Sequence, residues 1–301
     1  AQPAIFAVQI ALYEMWKAKG VHPKAVVGHS IGEVAAGYVS GALTLEQAVL
    51  LIFHRSRVQF KATDKGKMLA VGVSHEDAKK LIEGKEHRVS VGAVNGPTMV
   101  AFSGDTDAIE EIAAECDGKD IFHKMLVVRV PFHSHHMEPL KDELLSSLGE
   151  FKTKATTIPF YSTVEGKVVK GEDLTPAYWF RNVRDAVLFT DAIDAQIKDG
   201  FDTFIELGPH PIHAIGINDL LEINKKKGLV IASLRRNENE ERTFLSAVAK
   251  LHAWGVVIDW KAFYEEGNNF VLLPKYPWQK DSHWIESEEG KRQRLGSVQY
   301  G

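Results

Sequence analysis

The stretch Ala25-Val26-Val27-Gly28-His29-Ser30-Ile31-Gly32-Glu33 constrains this chain more than any other. An apolar run breaks into Gly-x-Ser-x-Gly and then opens a series of small residues, Val34-Ala35-Ala36-Gly37-Tyr38. A serine on a sharp strand-to-helix turn needs glycine on both sides, because neighbouring Cβ atoms would collide with the turn. Gly28 and Gly32 supply that room. Such an elbow projects Ser30 as a nucleophile. It also aims the amide of Ile31, at the first turn of the next helix, toward an oxyanion formed on a substrate carbonyl. The alternative is a plain βα turn with an incidental serine. The buried-type Val26-Val27 before the turn and the close-packed helix after it favour the elbow.

With 301 residues, 45% of them apolar, the chain can bury one large core or two smaller ones. A formal net charge of −4 supplies no global basic field, which argues against nucleic acid or an acidic membrane surface as the main partner. The single cysteine, Cys116, excludes an intramolecular disulfide and suits a reducing compartment. No apolar run is long enough to span a bilayer and no leader opens the chain, so the cytoplasm is expected.

Apolar spacing makes Gln2 to Trp16 a helix ended by Gly20, and a buried-type helix with no strand before it suggests a beginning in the middle of a fold. Thr44-Leu45-Glu46-Gln47 reads as a capping box for a helix through Arg57, on which Arg55 rides an otherwise apolar face. From Gly66 the pattern becomes a strand (68–73), a helix (75–83), two strands (89–94 and 98–103) around Asn95-Gly96-Pro97, a helix (107–116) and a strand (122–128). That β-α-β-β-α-β order is ferredoxin-like. Helices are then expected at 137–148, 189–198 and 241–254, and strands at 158–162, 203–207 and 229–234, before an aromatic, irregular tail that frays from Glu286.

A serine nucleophile needs a base, and Val130-Pro131-Phe132-His133-Ser134-His135-His136 is the richest source. His133, held rigidly by the preceding Pro131 and Phe132 at the exit of the small unit, is the candidate. A metal site from His133, His135 and His136 is the competing use. Adjacent histidines on an extended segment point to opposite sides and no carboxylate lies at ligand spacing, so no metal is expected. Arg55 is expensive to bury unpaired; it either meets an internal carboxylate or waits for one on a ligand, and the residues alone lean toward the internal pair.

Gly28-His29-Ser30-Ile31-Gly32-Glu33, Arg55, Gly66-Lys67-Met68, Asn95-Gly96-Pro97 and Phe132-His133-Ser134, in this order, resemble the malonyl-CoA:acyl carrier protein acyltransferase family, and more narrowly the acyltransferase domains of modular type I polyketide synthases. Tyr178-Trp179, Arg181-Asn182, Glu206-Leu207-Gly208-Pro209-His210-Pro211 and Tyr276-Pro277-Trp278-Gln279 extend the likeness over nearly the whole chain. The resemblance implies an α/β fold: a hydrolase-like parallel-sheet subdomain (1–65 and 131–235), an inserted ferredoxin-like one (66–130), and a following linker (236–301). It implies that Ser30 attacks an acyl-CoA thioester, that His133 takes the proton, and that a backbone carbonyl from 206–210 orients the imidazole. The acyl group then passes to the phosphopantetheine thiol of an acyl carrier protein, with neighbours such as a ketosynthase and no permanently bound cofactor.

By the same resemblance Arg55 binds a substrate carboxylate, which reverses the lean from the residues alone, and Gln2, His29, Asn95 and Phe132 line the pocket. In this family Gln after the nucleophile and Ser before the histidine accompany branched units. Ile31 and Phe132 stand there instead, favouring malonyl, although one methyl group is worth only about 1–3 kcal/mol of discrimination and Val130-Pro131 departs from the usual malonyl signature. The family also carries an upstream strand and Gly-Gln-Gly loop that give a second oxyanion amide. The sequence does not include them, and the isolated chain is expected to fold poorly and transfer slowly. A serine hydrolase or thioesterase shares the elbow but not Arg55 or the inserted unit. A non-catalytic docking fragment of a megasynthase would not need Ser30, Arg55 and His133 together.

Overall fold

The computed structural model describes residues 1–264, 271–281, 283 and 285–296. The chain divides into two compact units, Ala1–Phe263 and Tyr264–Gly301. The first opens with α1 (Gln2–Ala18), β1 (Val26–Val27), α2 (Gly32–Val39) and α3 (Leu45–Gln59). β2 (Lys67–Val71), α4 (His75–Leu81), β3 (Val89–Gly96), β4 (Met99–Gly104), α5 (Thr106–Gly118) and β5 (His123–Met125) follow in the anticipated order. The remainder is α6 (Lys141–Leu148), β6 (Phe160–Ser162), β7 (Lys167–Val169), α7 (Pro176–Arg184), β8 (Val187–Leu188), α8 (Phe189–Lys198), β9 (Thr203–Glu206), α9 (Ala214–Ile223), β10 (Leu229–Ala232) and α10 (Glu240–Trp254). In the second unit the tail expected to fray carries α11 (Glu288–Leu295), capped by the Ser287 side chain on the amide of Gly290.

Local chemistry accounts for the elements that carry the site. The Thr44 hydroxyl accepts the Gln47 amide at 3.2 Å while the Gln47 side chain accepts the Thr44 amide at 2.9 Å, so two otherwise orphaned donors at the start of α3 are satisfied reciprocally. α7 begins with Pro176 in its first turn and Thr175 capping the amide of Tyr178. α8 buries Phe189, Ala192, Ile193, Gln196 and Ile197, a helical stripe facing the core. Between Ser134 and α6 the chain forms a 3-10 turn, His135–Leu140, containing Pro139, so the helix expected from Met137 starts only at Lys141.

The small sheet has the order β5-β2-β4-β3-β8. Its first four strands are antiparallel, as the ferredoxin-like order requires, and β8 adds in parallel with Ala93 opposite Val187 and Val94 opposite Leu188. Residues 187–188 therefore belong to the sheet of the small unit although they lie outside 66–130. The parallel strands form two separate pairs, β1 with β6 and β9 with β10. α10 buries Phe244, Ala247, Val248 and Leu251 in one cluster with Trp16 and Ile231. The Trp16 indole donates to Ser233 at 2.9 Å, and the boundary expected at 236 falls inside the first compact unit, which runs to Phe263. No helix among the described residues is long and apolar enough to cross a membrane.

Candidate active site

Ser30 sits between β1 and α2 with φ +52°, in the left-handed region that ordinary side chains avoid. Gly28 makes the turn possible: a Cβ there would lie 2.2 Å from the Glu33 amide nitrogen and from the Gly32 carbonyl carbon. Gly32 is different, because a Cβ on it would meet nothing nearer than the Gln9 amide at 3.6 Å. The sequence pattern overstates the second glycine. Gly28→Ala is expected to destabilise the fold by about 3 kcal/mol. Gly32→Ala, in the first turn of a helix, should stay within about 1 kcal/mol of wild type, and chemical denaturation of both variants checks the contrast.

His133 also has a left-handed backbone, φ +58°. The turn around it is held by the Phe132 amide on the Val130 carbonyl at 2.9 Å and the Ser134 hydroxyl on the Pro131 carbonyl at 2.6 Å. Nε2 of His133 lies 2.8 Å from Ser30 Oγ, and Nδ1 lies 2.8 Å from the Asp185 carbonyl oxygen. A carbonyl can only accept, so Nδ1 carries the proton and Nε2 presents its lone pair to the serine hydroxyl. The orienting carbonyl is thus Asp185, at the C-terminal end of α7, and not one from 206–210. Burial, reinforced by the positive charge of Arg55 and by His29, pushes the imidazole down to about 3. His133 is neutral over the physiological range, which is the state a proton acceptor needs.

Arg55 is 1% exposed, on the inward face of α3. Nη2 donates to Ser30 Oγ at 2.9 Å, Nη1 to Gln2 Oε1 at 2.7 Å and to Gln59 Oε1 at 3.1 Å, and Nε to Asn182 Oδ1 at 3.3 Å. Among the described residues every one of these acceptors is neutral, and no carboxylate oxygen comes within 4 Å of the guanidinium. The internal ion pair favoured by the residues alone is absent from this set. Burial pulls the guanidinium down to about 10, against the field of Glu33, and it remains a cation near neutral pH. The Ile31 amide, at the head of α2, is taken by no backbone carbonyl among the described residues.

The other residues expected to line a pocket, His29, Asn95, Gln2 and Phe132, lie on the elements that carry this centre. His29 donates from Nε2 to Asn95 Oδ1 at 2.7 Å, joining the elbow to β3. Its ring stacks on His213 at 4.7 Å, and Phe189 closes the group. Gln2 bridges Arg55 and Gln59, with its own amide donating to Gln59 Oε1 at 2.8 Å. Phe132 is half-buried, directly before His133.

His135 and His136 do not point apart. Because they open a 3-10 turn rather than an extended segment, both Nε2 atoms approach Asp105 Oδ1, at 3.1 and 2.9 Å. With Asp105 they could hold a cation, and the spacing argument had missed that carboxylate. His133 is not part of this group. A cavity of about 1160 Å³ between the β6–β7 hairpin and α7, lined by residues such as Thr157, Lys170 and Arg181, touches none of Ser30, Arg55 and His133.

Glu33 and Asn182 stand in the quoted motifs without a role assigned to them, and Gln59 and the Asp185 carbonyl lie outside those motifs. Gln59 follows Arg55 by four residues on one helix face, and Tyr178 and Asn182 share the same spacing, which is the one sequence signal that points to them.

Residues 1–257 match the family model described as Acyl transferase domain. The chain belongs to this family. As an acyltransferase domain it is 38% identical over 290 residues to polyketide synthase GfsB of Streptomyces halstedii, an alignment covering 96% of the chain and 5% of that protein. It is 36% identical over 287 residues to erythronolide synthase EryA2 of Saccharopolyspora erythraea, covering 95% of the chain and 8% of that protein. The chain therefore spans less than a tenth of the length of these relatives. Among solved structures, the acyltransferase domain from module 8 of the salinomycin polyketide synthase superposes with a TM-score of 0.85 at 34% identity, covering 87% of this chain and 62% of that one. The α/β architecture of the domain is that of polyketide synthase acyltransferases.

Proposed function

We propose that this acyltransferase domain moves a malonyl-type acyl group from coenzyme A to the phosphopantetheine thiol of an acyl carrier protein through an ester on Ser30. In the first half, Ser30 Oγ attacks the thioester carbonyl carbon while His133 Nε2 takes the hydroxyl proton, and the Ile31 amide donates to the oxyanion. The tetrahedral intermediate collapses by breaking the C–S bond, and the protonated His133 returns its proton to the coenzyme A sulfur. In the second half, the carrier thiol gives its proton to His133 and attacks the ester, and Ser30 leaves as the alcohol. The Asp185 carbonyl keeps the imidazole in one tautomer through both halves. Every group named belongs to the chain or to the two substrates, so the cycle needs no resident cofactor. The large synthases among the relatives make a carrier protein and a ketosynthase the natural neighbours.

The observation that carries the dicarboxylic reading is the buried guanidinium of Arg55, without a carboxylate partner among the described residues and 2.9 Å from the nucleophile. Such a cation matches a carboxylate carried on the acyl group, which it can grip with two parallel bonds. Incubation with malonyl-CoA or acetyl-CoA followed by intact mass tests this. A malonyl-mass adduct should dominate, and Arg55→Ala should reduce it by about 100-fold relative to acetyl, the loss expected for a charged pair. Equal labelling by both donors in the wild type would sink the role of Arg55. Ile31 and Phe132 favour malonyl over a branched unit within the same scheme.

A further inference from the structure

Behind Ser30 and Arg55 lies a buried polar chain that the transfer chemistry does not use. Glu33, 0% exposed on α2, accepts from the Thr163 amide at Oε1, and from the Tyr178 hydroxyl (2.7 Å) and Asn182 Nδ2 (2.9 Å) at Oε2. The Thr163 hydroxyl has a single proton for two acceptors, Glu33 Oε1 at 2.9 Å and the Gly28 carbonyl oxygen at 3.0 Å. Ser162 Oγ receives the Val164 and Glu165 amides at 3.1 and 3.0 Å, so its own proton goes to Tyr178 Oη, which passes its proton on to Glu33. Burial pushes the Glu33 carboxyl up, and the bonds from Tyr178, Thr163 and Asn182 work against that shift by favouring the carboxylate. Asn182 Nδ2 then has two acceptors, Glu33 Oε2 and the Ser30 carbonyl oxygen at 3.0 Å, and that fixes the face of the amide. Its Oδ1 is left toward Arg55 Nε.

We propose that Glu33 and Asn182 are positioning residues that tie the strained nucleophile turn to the guanidinium, so that substrate carboxylate and attacking hydroxyl are held in one frame. With Nε engaged by Asn182 and Nη1 by Gln2 and Gln59, the atom that Arg55 offers a carboxylate is Nη2, which already touches Ser30 Oγ, and a second parallel bond from Nη1 requires one of the two glutamines to give way. The negative charge of Glu33 sits one amide away from the cation, on the side opposite the substrate. It can therefore compensate the buried charge without occupying the ligand's place. A side-chain amide suits the place between them, because it donates to one charge through Nδ2 while accepting from the other at Oδ1. This inference rests on the reading of Arg55 as the carboxylate anchor.

Glu33→Gln preserves shape but sets an NH2 group against Asn182 Nδ2, because the Thr163 amide retains the remaining oxygen. Asn182→Ala removes the link and leaves Glu33 its Thr163 and Tyr178 donors, so the test survives if the first variant does not fold. The measurement is the ratio of kcat/KM for Ser30 acylation by malonyl-CoA to that by acetyl-CoA, in wild type, both variants and Arg55→Ala, with circular dichroism reporting folding. The expected result is a fall in the ratio of about tenfold or more in each folded variant, as for loss of one charge-assisted bond. Equal slowing with both donors, at an unchanged ratio, would mean a merely structural role and overturns the proposal. If Arg55→Ala itself leaves the ratio unchanged, the anchor reading has failed instead, and the two failures are told apart.

Discussion

Ser30→Ala is expected to abolish the covalent acyl adduct and to slow transfer by on the order of 10⁴-fold or more, because the nucleophile acts as a unit with its base. The fold should survive the change. Alanine meets the same left-handed backbone at φ +52° that serine does, and the two polar partners of the hydroxyl keep their other bonds, His133 through Nδ1 to Asp185 and Arg55 through Nη1 to Gln2 and Gln59. Intact mass after incubation with malonyl-CoA, with circular dichroism to confirm folding, reads both halves of the statement. A malonyl adduct of undiminished yield on the variant would place the nucleophile elsewhere.

His133→Ala should reduce acylation by about 10²–10⁴-fold, the usual worth of a positioned base, and its pH behaviour discriminates further. An ordinary histidine is half protonated near 6.5, whereas His133 is held down to about 3. Wild-type acylation is therefore expected to stay level from pH 8 to pH 5, where an unperturbed imidazole would have lost most of its basic form. Stability moves the other way. Between those two values the unfolded chain binds a proton that the folded chain refuses, so stability falls as pH drops below about 6.5, and His133→Ala flattens that slope. Arg55→Ala removes the second cause of the depression and should raise the midpoint of the acylation profile. A profile that titrates near 6.5 in the wild type would show that solvent reaches the base.

What the residues alone disclosed follows the range of the forces involved. The elbow, the capping box of α3, the Phe189–Lys198 helix and the βαββαβ order are written in contiguous patterns, and each is found where its local chemistry set it. β8 is two residues long and has no periodicity to read; it exists because β3 offers it an edge. The Asp185 carbonyl has no side-chain signature, since any residue at that position carries the same oxygen. Glu33 stood in the motif without a role because its partners lie 130 to 149 residues away. The spacing argument for His135 and His136 failed because it assumed an extended backbone where Pro139 and its neighbours form a 3-10 turn.

The fifth strand of the small sheet bears on recombination. α7 delivers Asn182 and the Asp185 carbonyl, and two residues later the chain is already paired in β8 with Ala93 and Val94, next to Asn95, which holds His29. An exchange of residues 66–130 for the equivalent segment of a relative would leave 187–188 behind, facing a foreign β3. The transplanted sheet would then pull on the segment that aims the imidazole. Chimeras meant to alter acyl selectivity should accordingly carry residues 182–188 together with the insert, as one heritable cassette.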